Sequence, residues 1–173
     1  MTSMISATRT GLGSLSPLEK LIATARAVFP QAQAIQSMTP TGDAKEVWRR
    51  LALAAKVDDW ALARNLGREL GLPVAETLSA KPSALSLVPA ALARKSLILP
   101  LEEREHTLVV ATGLPFPGDV LDAVRFASGR TIECMLAPPE YIELAVHSAY
   151  SGKIDKATSE LLIPESKIGR AHV

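Results

Sequence analysis

LILPLEEREHTLVVATGLPFPGDVLDAVRFASGRTIECMLAPPEYIELAVHSAYSG, residues 97–152, holds two short apolar runs followed by alternating helical and extended patterns. LILPL (97–101) is apolar and β-compatible, and TLVVA (107–111) is apolar and rich in β-branched side chains. The five polar residues Glu102–His106 between them have the length and chemistry of a hairpin loop. GLPFPG (113–118) sustains neither helix nor strand. A helix is predicted over Asp119–Ser128, with Asp119 as N-cap, Asp122 in the first turn and Gly129 as a left-handed stop. In TIECML (131–136), Ile132, Cys134 and Leu136 share one face, and Pro138–Pro139 open a helix ending near Tyr150. The order is β–β–α–β–α, with 107–111 and 131–136 parallel through a right-handed crossover. Leu99, Leu108, Val110, Val124, Ile132, Cys134, Leu136 and Ile142 are the expected core.

Composition sets the limits. Of 173 residues, 47% are hydrophobic, enough for a packed core, while aromatics at 4% leave Leu, Val, Ile and Ala to fill it. A net charge of +1 creates no global field towards a nucleic-acid polymer or an anionic membrane. The single cysteine, Cys134, has no internal disulfide partner and reads as a small buried hydrophobe. The apolar runs are too short to insert directly into a membrane, and residues 1–16 lack a signal-peptide pattern, so a soluble cytoplasmic protein is expected.

Upstream, Ser16 and Glu19 fit a capping box with Pro17 at the first helical position, and Pro30 ends that helix. Residues 31–42, polar with Pro and Gly, read as a linker. Asp43 with Glu46 opens a second helix. After a break near Lys56–Val57, Asp58 or Asp59 caps a third, which Gly71 stops, and the two helices form an αα-hairpin. Trp48 and Trp60, one on each, read as core or rim residues. Residues 70–78 lead out of the third helix into a short extended segment, and Pro82 and Pro89 each open a short helix. The expected organisation is α/β (α+β): a disordered lead (1–15), a helical subdomain (16–71), an α/β subdomain with a small mixed sheet (72–152) and a flexible tail (153–173).

Catalytic chemistry finds no foothold. His106, His147 and His172 have no second ligand at metal spacing, so no metal and no cofactor are expected. No G-x-x-x-x-G-K-[ST] is present, which excludes phosphate-loop hydrolysis. Glu102, Glu103 and Glu105 read as solvated loop carboxylates. Arg49, Arg50, Arg64 and Arg68 lie on the helical hairpin, either as a solvated cationic face or as a site for a phosphate-bearing ligand or an acidic partner.

LGLP (70–73), LSLVPAALARKSLILPL (85–101), TLVVAT (107–112), LDAVRFASGR (121–130) and AVHSAYSG (145–152), in that order and spacing, resemble the N-terminal domain of the traffic ATPases of type II secretion and type IV pilus assembly. That domain also occurs on some membrane glycosyltransferases. The resemblance covers roughly residues 43–152 and implies a sheet flanked by helices and joined to a helical subdomain. After the middle strand the family pattern resembles an alanine followed by an acidic–proline pair; here Ala111-Thr112-Gly113-Leu114-Pro115 keeps only the proline.

Some members of that family bind cyclic di-GMP through tandem motifs opening Arg-Leu-Gly. In this chain Arg50-Leu51 matches the opening, Ala52 stands where the glycine would be, and Lys56 occupies the neighbourhood of the second glycine. A backbone that must approach a guanine or phosphate closely tolerates no side chain there. The expectation is a non-catalytic interaction domain that docks a motor onto the cytoplasmic domain of an inner-membrane assembly protein, peripheral to that membrane. Its candidate contact residues are Arg49, Arg50, Leu51, Arg64 and Arg68. A cyclic di-GMP sensor and a glycosyltransferase regulatory domain are the alternatives.

Overall fold

The computed structural model describes residues 15–115 and 118–151. The lead to residue 14, Phe116, Pro117 and residues 152–173, including the expected tail and His172, lie outside the described residues.

Helix α1 (Pro17–Val28) opens with the reciprocal Ser16–Glu19 capping box. The 31–42 stretch is more than a linker. It contains a single helical turn, α2 (Gln33–Gln36), and buries Ile35 and Met38. Arg26 of α1 fixes it by donating from Nη2 to the Met38 carbonyl at 2.7 Å. Polar composition concealed those two apolar anchors.

Helix α3 (Ala44–Ala55) has a second capping box, Asp43 with Glu46, and ends on Lys56 in the left-handed conformation, φ 60°. Asp58 caps α4 (Asp59–Leu70), which Gly71 stops at φ 73°. Two short helices follow, α5 (Pro82–Leu85) and α6 (Ala90–Ser96). Leu97 is the left-handed cap of α6 and not the first strand residue.

Strand β1 (Ile98–Arg104) pairs antiparallel with β2 (Thr107–Thr112), with a register shift between Pro100 and Glu102. The expected five-residue loop is therefore a two-residue turn at Glu105–His106. Glu102 and Glu103 stay in the ladder because cations hold them: Lys81 lies 3.2 Å from Glu102, Arg104 pairs with Glu102, and Arg130 Nε lies 2.6 Å from Glu103. After α7 (Gly118–Ser128), β3 (Thr131–Leu136) pairs parallel with β2, giving the sheet order β1–β2–β3. Asp119 is the second residue of α7, inside its first turn and not its N-cap. A last helix, α8 (139–151), returns across the domain. The β–β–α–β–α order and the parallel pairing stand as expected.

Two apolar clusters form the core. The α/β cluster includes Leu99, Leu108, Val110, Val124 and Ile142, all fully buried. The helical cluster joins Leu21, Ile22, Ile35, Val47, Leu51, Leu62 and Leu66, and it takes in Leu136 from β3. Ile132 and Cys134, expected inside, are only half-buried on β3.

Candidate interaction surface

The α3–α4 hairpin carries the four arginines, and each has a partner within the chain. Arg49 Nη2 lies 3.0 Å from Glu140 at the start of α8. Arg50 donates to the Thr41 carbonyl. Arg64 Nη1 lies 3.2 Å from Glu76, and Arg68 Nη1 donates to Asn65 Oδ1 at 3.3 Å. They are not gathered at one point: Arg49 faces α8, Arg50 the 39–42 loop and Arg64 the 74–78 segment. Leu51 lies fully buried beneath them in the helical cluster.

Arg50 also borders two adjoining grooves on the outer side of α3. One, about 500 Å³, is lined by Ala34, Met38, Arg50 and Leu53 among others; the second, about 410 Å³, includes Gly42, Glu46, Arg49, Arg50 and Leu53. Leu53 is 73% exposed. A large apolar side chain beside two guanidinium groups is a mixed surface of the kind that protein interfaces use. The buried residues of α3 are Val47, Trp48, Leu51 and Ala52, and Leu53 falls outside that face.

The hairpin is welded to the α/β part along one seam. Trp48 Nε1 donates to the Gly113 carbonyl at 2.7 Å in a buried position. Trp60 meets Tyr141 edge-on with ring centroids 5.3 Å apart, so one tryptophan is core and the other rim. Lys45 Nζ lies 2.9 Å from Glu143, parallel to the Arg49–Glu140 pair. The Glu143 hydrogen bond holds the Lys45 ammonium above its usual range. Asp59, beside this seam, is pushed up first by burial and then by the charges of Glu140 and Asp58, with Arg49 opposing. Gly113 permits the close approach, because a Cβ there would stand 3.0 Å from Pro139.

Among the described residues, no three His, Cys, Asp or Glu side chains gather as a metal site. No helix of the described residues is long and apolar enough to cross a membrane. Burial pushes the Cys134 thiol up to about 11 and the Tyr150 hydroxyl, which donates to the Val88 carbonyl at 3.0 Å, up to about 12.

Residues 70–155 match the family described as the MshEN domain. The chain is 26% identical over 144 residues to a type IV pilus assembly ATPase, PilB, of Myxococcus xanthus (strain DK1622). That alignment covers 82% of this chain and 24% of the relative, so the chain spans about a quarter of its length. In fold it is similar to MshE solved with cdg (TM-score 0.54, 20% identity, 74% of this chain and 96% of that one). It is equally similar to the N-terminal domain of XpsE (TM-score 0.54, 16% identity, 78% of this chain and 96% of that one).

Proposed function

We propose that the chain, whose residues 70–155 match the MshEN domain and which resembles part of a pilus assembly ATPase, is a non-catalytic docking module. It joins a motor ATPase to the cytoplasmic domain of an inner-membrane assembly protein, and is itself cytoplasmic and peripheral to that membrane through its partner. The observation that carries this reading is the exposed ridge of α3, where Leu53 stands 73% exposed beside Arg49 and Arg50. An apolar anchor between cations fits a partner surface with an apolar pocket rimmed by carboxylates. The arginines add association rate and salt dependence more than affinity. Arg64 and Arg68 lie apart from the ridge on α4, Arg64 turned to Glu76, and enter the reading as further candidate contacts, while Leu51 supports the ridge from below. A pilus ATPase among the relatives supports a motor context over a glycosyltransferase one.

Cyclic di-GMP binding is the second reading, supported by the fold likeness to MshE with cdg. Against it, Ala52 is only 8% exposed and the Arg50 guanidinium is already bonded to the Thr41 carbonyl. The test is calorimetry with cyclic di-GMP beside binding measurements with candidate inner-membrane cytoplasmic domains. We expect a partner whose affinity falls with salt and falls further when Arg49, Arg50, Arg64 and Arg68 are reversed to glutamate. Micromolar dinucleotide binding that is lost in Arg50→Ala would overturn the ranking. A partner indifferent to all four reversals moves the docking surface elsewhere.

A further inference from the structure

The open edge of the sheet forms a second surface, independent of the arginine ridge. In β3, the Thr131 N–H donates to the His106 carbonyl (2.9 Å) and the Ala137 N–H to that of Thr112 (3.0 Å). Odd-numbered residues therefore bond inward to β2, and the alternation of a parallel ladder turns the even-numbered ones outward. At Leu136 the outward groups are used: its N–H donates to the Pro73 carbonyl at 2.7 Å, and its carbonyl accepts from the Ala75 N–H at 2.9 Å. At Ile132 and Cys134 no backbone group of the described residues takes the equivalent positions. Beside this edge runs a groove of about 660 Å³ whose lining joins Arg104 and Glu133 to Leu72, Val109, Leu121 and Met135.

We propose that this edge accepts an extended segment of a partner protein as a fourth strand along Thr131–Met135, in line with Pro73–Ala75, and that the segment carries a basic residue opposite Glu133 between two apolar ones. Residues facing each other across a ladder share a face of the sheet. Guest residues opposite Ile132 and Cys134 thus pack on those two half-buried apolar side chains, and the one between them meets Glu133 on the other face, beside Val109 and Met135. That carboxylate is accessible: its side chain is 63% exposed, and its ion pair with Arg104 is the longest of the described pairs at 3.6 Å. Arg104 sits closer to Glu102. A second copy of this chain fits poorly. A twofold pairing that uses Ile132 and Cys134 of both copies sets Glu133 against its own counterpart, and like charges directly opposed are unfavourable. The edge is blunted against itself and complementary to a basic strand.

The probe is a blocked pentapeptide, Thr-Val-Lys-Val-Thr, titrated into the isotope-labelled chain while amide exchange is followed by NMR. The expected result is saturable binding that protects the Ile132 and Cys134 amides, with a glutamate-centred peptide binding about fivefold more weakly. Glu133→Lys, at an exposed position that leaves the spectrum of the core unchanged, should invert the order of the two peptides. Arg50→Ala should leave it alone, which separates this surface from the α3 ridge. Absence of saturable binding, unchanged exchange at Ile132 and Cys134, or a peptide order insensitive to Glu133→Lys overturns the proposal.

Discussion

The Trp48 indole and the Gly113 carbonyl, 65 positions apart in the chain, are joined by a buried 2.7 Å hydrogen bond that fastens the helical hairpin to the end of β2. Trp48→Phe keeps most of the ring packing but leaves that carbonyl buried without its donor. Urea denaturation should show a loss of about 1–3 kcal/mol. A smaller change means that water replaces the indole and the seam is wetter than its geometry implies.

Gly113→Ala attacks the same seam from the other side. The new methyl would stand 3.0 Å from Pro139, and the proline ring has little room to retreat. The expected cost is about 1–3 kcal/mol of overpacking strain, read from the same denaturation curve. Neutral behaviour would show that α8 shifts freely on the sheet.

Lys56 occupies a left-handed position, φ 60°, that a side chain enters at a steric cost. Lys56→Gly should stabilise the chain by about 1 kcal/mol by removing that cost, less the entropy that glycine adds to the unfolded chain. A fall in the denaturation midpoint contradicts it.

Burial pushes the Cys134 thiol from 9.0 up to about 11. A raised thiol contributes stability that is complete below pH 9 and is lost as the pH climbs towards 11. At pH 8 the folded chain should hold about 100-fold less thiolate than the unfolded one, and alkylation should slow accordingly. Equal alkylation rates in buffer and in denaturant would contradict that burial.

The chain alone is expected to turn over neither ATP nor GTP. The check is a nucleotide hydrolysis assay across the purification profile, where activity that follows the protein peak contradicts the reading.

Features closed within a few residues were legible before any coordinates. Ser16 with Glu19, Asp43 with Glu46, and the left-handed stops at Gly71 and Gly129 depend on local backbone chemistry that composition displays. Partners distant in sequence were not. Arg49 showed as a cation on a helix and Lys45 drew no reading; their carboxylates, Glu140 and Glu143, lie 91 and 98 positions away. Glu102 and Glu103 looked like loop because polarity mimics a turn, and only Lys81, Arg104 and Arg130 explain how they persist in a strand. The alternation at Ile132 and Cys134 was visible, yet alternation does not say whether a strand is central or at an edge. Leu53 escaped notice for a related reason, since nothing local distinguishes a docking leucine from a tolerated one.

Leu136 lies on β3 yet packs among side chains of helices that precede it by many residues in the chain. On the ribosome those helices emerge first, while the residue that seals their cluster is still to be translated. Until β3 has left the exit tunnel, the nascent helices hold an unfilled apolar slot, which a chaperone or a neighbouring nascent chain can occupy. Stalling synthesis between β2 and β3 should therefore leave the helices protease-sensitive, and release beyond residue 136 should protect them all at once.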